Sequence, residues 1–390
     1  MACYIATWDN RFYGLTESTY GTVAGINASN RIPALSLTAG QQNIRPRRDD
    51  KTGSRSFGGY AASLRKETSF ALKGYLANWG VQTGPPSYGF LFESGLGDSV
   101  QMFTGGLVDS MPGPSTVRLT AGHGLAVGQG VTFGGEIRFV TAIVDAQTIQ
   151  LNTAFSIAPT AGSPLGTTAS YRPSRTLKSV SLYDYWIPDT AVQRLLAGAV
   201  VDRIRISVNG DYHEMEFRGP ARDLIDSSSF ASGQGGLSSF PVEPPSSAAQ
   251  FTPIAGHLGQ AWLGGIPERF YTITEGVMQI NNNVELRSRE FGSTLPTCIV
   301  PGAREVTFSM ALYAQDSNAT RALYQASRQQ SPIQVMFQMG QQSGQLMGVY
   351  MKSVVPEIPE FDDRETRLQW KFSGCVAQGT NEDEVFVAFG

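Results

Sequence analysis

The sequence predicts a mainly β fold: two similar β-sandwich halves, each with a short flanking helix, and a small all-β module inserted into the first. Three observations carry that expectation. The 390 residues include 43 glycines and 21 prolines but only 16% charged side chains, a composition of strands and turns rather than long helices. Val306, Phe308, Met310 and Leu312 alternate with Thr307, Ser309 and Ala311, the period of a strand with one face on a core. The same order of polar ladder, charged turn-rich loop and alternating strand occurs loosely near the start. There Leu35 and Leu37 precede the loop Gln41 to Tyr60 and a strand with Thr68, Phe70 and Leu72.

Residues 1–32 read as an aromatic arm in which Tyr4, Trp8, Phe12 and Tyr13 are spaced by small and polar residues. Such an arm packs on its own domain or docks on a neighbouring subunit, where aromatic side chains supply much of the binding energy. The charged loop that follows carries Arg45, Arg47, Arg48, Asp49, Asp50, Lys51 and Arg55 between glycines. It suits a solvated hairpin loop or a contact loop that orders against a charged rim. Tyr88 to Gly97 is aromatic and compact, and is expected to be a short helix or turn closing the first sheet.

Residues 114–172 are almost uncharged and present Val117/Leu119, Val131/Phe133, Ile137/Phe139 and Ile149/Leu151 as short alternating pairs. This reads as an inserted β module, which leaves the first half discontinuous, 33–113 with 173–221. Asp189 or Thr190 is expected to cap a short helix through Val192, Leu195 and Leu196. Strands with Ile204/Ile206/Val208 and Met215/Phe217 follow, joined by the hairpin signal Asn209-Gly210. Residues 222–267, rich in Ser, Gly, Pro and Ala, read as linker and loops. The second half, 268–390, repeats the order: Val284 to Pro301 is ladder and loop, and the Phe308 strand precedes a helix capped by Ser317 or Asn318. Strands at Ile333 to Met339, Val349/Met351 and Leu368/Trp370/Phe372 complete it. Phe70, Leu72, Met215, Phe217, Phe308, Met310, Trp370 and Phe372 are the expected core of the two halves.

Chemistry has no evident carrier. Cys3, Cys298 and Cys375 are too few and scattered for a disulfide scaffold or a four-cysteine zinc site. His123, His213 and His257 lack partners at ligand spacing, and Gly128-Gln129-Gly130 lacks the Lys-Ser/Thr of a phosphate loop. Asp49/Asp50 and Asp362/Asp363/Glu365 read as solvated loops sooner than cation sites. No catalytic residue, metal or cofactor is therefore expected. Thirty basic against 33 acidic residues give a formal charge of −3 and no global basic surface for nucleic acid. Neither a secretion signal in Met1 to Tyr20 nor a membrane span is expected.

The stretch Val284-Glu285-Leu286-Arg287, the piece Gly302 to Met310, the Gln315 to Arg328 helix and the closing Trp370-Lys371-Phe372-Ser373-Gly374 resemble the tail tube proteins of long-tailed bacteriophages. Leu64 to Phe70 looks like a diverged copy of Ala303 to Phe308, so the resemblance is to a variant with a duplicated tube domain. It implies a virion protein, made in the host cytoplasm, whose rings stack into a channel for genome delivery. The rings would be trimeric and pseudo-hexameric; the tape measure protein and other tail components would be partners, with double-stranded DNA in transit. On that reading Arg45, Arg47, Arg48, Asp49, Asp50, Arg287, Arg289 and Glu290 are ring-to-ring contacts, and the insert decorates the outside. The alternatives are a distal tail, baseplate hub or terminator ring from the same particle, or a carbohydrate-binding adhesin.

Overall fold

Alternating apolar and polar residues become paired strands throughout the computed structural model, which describes all residues except 1–3, 47–48, 61–62, 80–83, 187–191 and 246–250. The first half begins with β1 (Asn10–Thr16), β2 (Arg31–Ile32), β3 (Ser36–Asn43), β4 (Lys66–Tyr75), α1 (Gly89–Leu96) and β5 (Gln101–Phe103). A module of β6 (Gly106–Gly113), β7 (Thr116–Leu119), β8 (Gly130–Phe133), β9 (Glu136–Ile143), β10 (Thr148–Leu151) and β11 (Pro164–Leu165) follows. The chain returns through β12 (Thr168–Tyr171), β13 (Val180–Trp186), β14 (Arg194–Ala199), β15 (Arg203–Val208), β16 (Glu214–Ala221) and β17 (Asp223–Asp226). The second half opens with β18 (Gly259–Gly264), β19 (Glu268–Phe270), β20 (Ile273–Asn281), β21 (Glu285–Leu286) and β22 (Ile299–Val300). It continues with β23 (Glu305–Tyr313), α2 (Asn318–Gln329), β24 (Ile333–Met339), β25 (Met347–Val355), β26 (Glu360–Asp362), β27 (Gln369–Ala377) and β28 (Phe386–Phe389).

A fifteen-stranded antiparallel sheet crosses both halves, and along its middle the strands run β27-β23-β20-β15-β16-β4-β3, with β26 also paired to β27. The order repeats. In each half a hairpin strand (β26 or β15) pairs its partner (β27 or β16), then the long central strand (β23 or β4), then the strand before the charged loop (β20 or β3). Registers agree as well: Phe361↔Trp370, Phe372↔Met310 and Met278↔Phe308 in one half correspond to Ile206↔Met215, Phe217↔Leu72 and Ala39↔Phe70 in the other. One face of this run is the core, where Phe70, Leu72, Met215, Phe217, Phe308, Met310 and Phe372 are all buried, and Trp370 packs against them half-buried. Helix α1 is buried along almost its full length; α2 is amphipathic and inserts Leu323, with Ser317 Oγ accepting from Thr320 N at its start.

Four expectations change. Leu195 and Leu196 lie in strand β14, not in a helix, and the proposed caps Asp189 and Thr190 fall outside the described residues. Both leucines are buried on opposite faces, Leu196 in the main core and Leu195 in a second cluster with Tyr13, Tyr183 and Tyr185. The arm is not free past residue 9, because β1 sits between β13 and β2 in a five-stranded sheet. Phe12 there enters the main core and Tyr13 the tyrosine cluster, so neither side chain is available to dock elsewhere. Within 222–267, strand β18 pairs along its length with β24, so this stretch is more than linker. The inserted module starts at β6 rather than at residue 114, while β12 belongs to the main sheet, pairing with β5 and β28.

Candidate assembly surfaces

Two strands of the repeated run carry a partner on one side only. β3 ends the path, bonded to β4, and β26 pairs with β27 alone among the described residues. An edge of this kind presents unpaired N–H and C=O groups that take up another strand. At β26 the edge is also apolar: Phe361 is 57% exposed and stacks on Trp370 at 5.5 Å. At β3, Leu37 turns into the core while Ser36, Thr38 and Gly40 face solvent.

Opposite the core, the same strands present a polar face. Three of its cations sit beside carboxylates: Lys73 and Arg218 lie 3.6 and 2.6 Å from Glu216, and Lys371 lies 2.7 Å from Asp362, whereas Arg203 and Arg205 of β15 pair with no carboxylate among the described residues. Burial disfavours the Glu216 charge, but hydrogen bonds and charge from Arg218 and Lys73 outweigh it and hold the carboxyl below its usual range. The Asp362 carboxyl is also lowered, first by the Lys371 hydrogen bond and then by the backbone of Arg364.

The charged loops, residues 44–65 and 282–304, lie together at one end of the sheet. Lys66 N donates to Thr294 O at 3.1 Å, and Arg65 Nη2 donates to the carbonyls of Arg289 and Glu290 at 3.3 and 3.4 Å. Arg287 pairs with Glu290 at 2.9 Å, and Glu290 also accepts from Thr297. In the first loop Arg45 lies over the Tyr60 ring at 5.6 Å, which meets Phe57 edge-on, and Asp49 and Asp50 are exposed. Arg47 and Arg48 fall outside the described residues. Of the arm residues, Tyr4 and Trp8 remain 91% and 84% exposed.

Sequence reasoning missed the junction that fixes the insert. Ile137 and Phe139 of β9 pack against Met336, Leu346, Tyr350 and Phe386 of the second half. Between them Arg138 is fully buried, 3.0 Å from Glu136, and lies 4.9 Å from the Trp262 ring and 5.4 Å from that of Phe155. Glu136 and Arg138, opposite charges two residues apart on one face of a strand in an almost uncharged module, were the available signal.

These surfaces define a class: a structural β-sheet protein with open edges and clustered loops. The family profile of phage tail tube proteins matches residues 7–369, and the chain belongs to that family. It is a structural component of the virion tail. No individually curated protein matches the chain. No helix among the described residues is long and apolar enough to cross a membrane.

Proposed function

We propose that three chains close into a ring of six like wall segments, that these rings stack into the tail tube, and that the polar sheet face lines the bore. The observation carrying this reading is the joint inside the chain. β15 pairs with β20 from Arg203↔Asn281 to Val208↔Gly276, so one half already docks edge to edge on the other. The matching strands on the outer flanks are β26 and β3, both open. Carrying the internal register across places Glu360 opposite Gly40, Phe361 opposite Ala39 and Asp362 opposite Thr38 in the next chain. A repeated head-to-tail joint closes when its rotation sums to a full turn, and duplication halves the number of chains required.

A bore for double-stranded DNA needs a lining that does not hold phosphate, because each phosphate contact adds salt-dependent retention. The carboxylates beside Lys73, Arg218 and Lys371 on the polar face lower such retention. The tape measure protein would occupy the same bore during assembly, before genome passage. Loops 44–65 and 282–304 make the axial contacts, and Tyr4 and Trp8 dock on a neighbouring subunit. The insert sits outside the wall, the protein is made in the host cytoplasm, and its role is non-enzymatic.

The pair Ala39→Cys and Phe361→Cys, with Cys3 and Cys298 changed to serine, tests the ring. Oxidation should give covalent species ending at a closed trimer, and end-on images of particles should show threefold symmetry. Monomers without cross-links, or an unringed particle, would overturn the proposal.

A further inference from the structure

We infer that a cavity at the end of β20 remote from the loops is a socket for Phe291 of a second copy in the adjacent ring. This rests on the stacked-ring reading above. The cavity has a volume of about 250 Å³ and an apolar wall that includes Val208, Phe270, Ile273 and Phe337, with His257 and Arg269 on its polar side. A cavity of about 150 Å³ already holds a benzene ring, so a phenyl side chain fits.

The geometry of the strands supplies the occupant. Ile273, which begins β20, lines the cavity, and Asn281, which ends it, leads into loop 282–304. Cavity and loop thus lie at opposite ends of one strand, about 30 Å apart at the usual rise per residue. Displacing a copy along the strands brings the loop of one over the cavity of the other. Phe291 is completely exposed, and Gly292 at φ 87° turns the chain directly behind it.

Charge agrees with that placement. Glu290 precedes Phe291, while Arg269 at the cavity stacks over Tyr271 at 4.6 Å and pairs with no carboxylate among the described residues. Seating the phenyl ring brings Glu290, which already pairs with Arg287 in its own loop at 2.9 Å, towards Arg269, so the apolar anchor is joined at its rim by a carboxylate shared between two arginines.

The test uses the full chain and scores rings and tubes separately by electron microscopy. Phe291→Ala should leave rings intact and raise the concentration needed for tube growth at least about tenfold. Phe291→Cys with Tyr271→Cys, in the Cys3→Ser and Cys298→Ser background, should form a disulfide between chains in tubes and not in isolated rings. Arg269→Glu should weaken stacking, and Glu290→Arg added to it should restore stacking. Unchanged tube growth by Phe291→Ala, or tubes of the double-cysteine variant that form no disulfide between chains, would overturn the inference while leaving the ring reading standing. Absence of rings in the unsubstituted chain would remove both.

Discussion

Replacing Arg138 should release the inserted module from the second half of the chain. The guanidinium donates to Ala154 O at 2.9 Å and Ile137 O at 2.8 Å and pairs with Glu136 at 3.0 Å. Burial pushes its pKa down to about 10, against the pull of Glu136, so it is charged at neutral pH. Removing one member of a buried pair costs about 3–5 kcal/mol because the other charge is left uncompensated. Arg138→Met belongs at the lower end, about 3 kcal/mol, since Glu136 keeps hydrogen bonds from Ser156 N, Ser156 Oγ and Gln260 Nε2. Glu136→Gln belongs at the upper end, since it strands a buried cation that Arg269 also disfavours. The double variant should recover about 2 kcal/mol relative to the sum, because no unpaired charge remains. Urea unfolding followed by tryptophan fluorescence, which includes Trp262 beside Arg138, and limited proteolysis of the module measure the effect. Single variants costing under about 1 kcal/mol, or strict additivity in the double variant, would refute the reasoning.

Three further outcomes follow from the packing. Burial holds the His213 imidazole below its usual pKa of 6.5, helped by repulsion from His257 and opposed by the Leu258 carbonyl, to which Nε2 lies 3.0 Å away. The unfolded chain therefore binds this proton more readily: stability is full above about pH 6.5 and falls as pH drops below it until the lowered native pKa is passed, and His213→Gln should flatten that fall in urea midpoints. Gly219→Ala would set a Cβ 1.8 Å from the Val200 carbonyl oxygen, a backbone atom, and should cost about 3 kcal/mol or more in thermal unfolding, whereas Gly25→Ala, which meets nothing within 4 Å, should be near neutral. Ser317→Ala removes the side-chain acceptor at the start of α2 and should cost about 1 kcal/mol in the same assay.

What could be read from the sequence depended on how many faces of a strand are buried. β4 and β23 have one buried face, and the resulting period of two marks them in the residue order alone. β14 is buried on both faces, so Leu195-Leu196 lost its alternation and resembled a helical apolar run. β28 was missed for the same reason: Phe386 to Phe389 are all buried, wedged between β12 and β25. The β15–β16 hairpin was legible from Asn209-Gly210, but the strands are joined by the longer loop 209–213, in which Asn209 alone takes the positive φ, 62°, that a two-residue turn would require of both residues. The charged loops could be recognised as loops from composition, but their adjacency through Arg65 and the carbonyls of Arg289 and Glu290 is a tertiary fact with no local signal.

The two kinds of joint in the proposed ring differ in strength, and that difference gives the duplication a purpose. Within the chain, β15 and β20 match six residue pairs, and a covalent connection holds both strands in one molecule. Between chains the matching strand β26 has only three residues. The internal joint forms as the chain folds and depends on no concentration, whereas the external one must assemble from separate molecules. A ring of six segments therefore needs only three concentration-dependent closures, and under mild denaturant it should part at β3–β26 into intact chains rather than into halves.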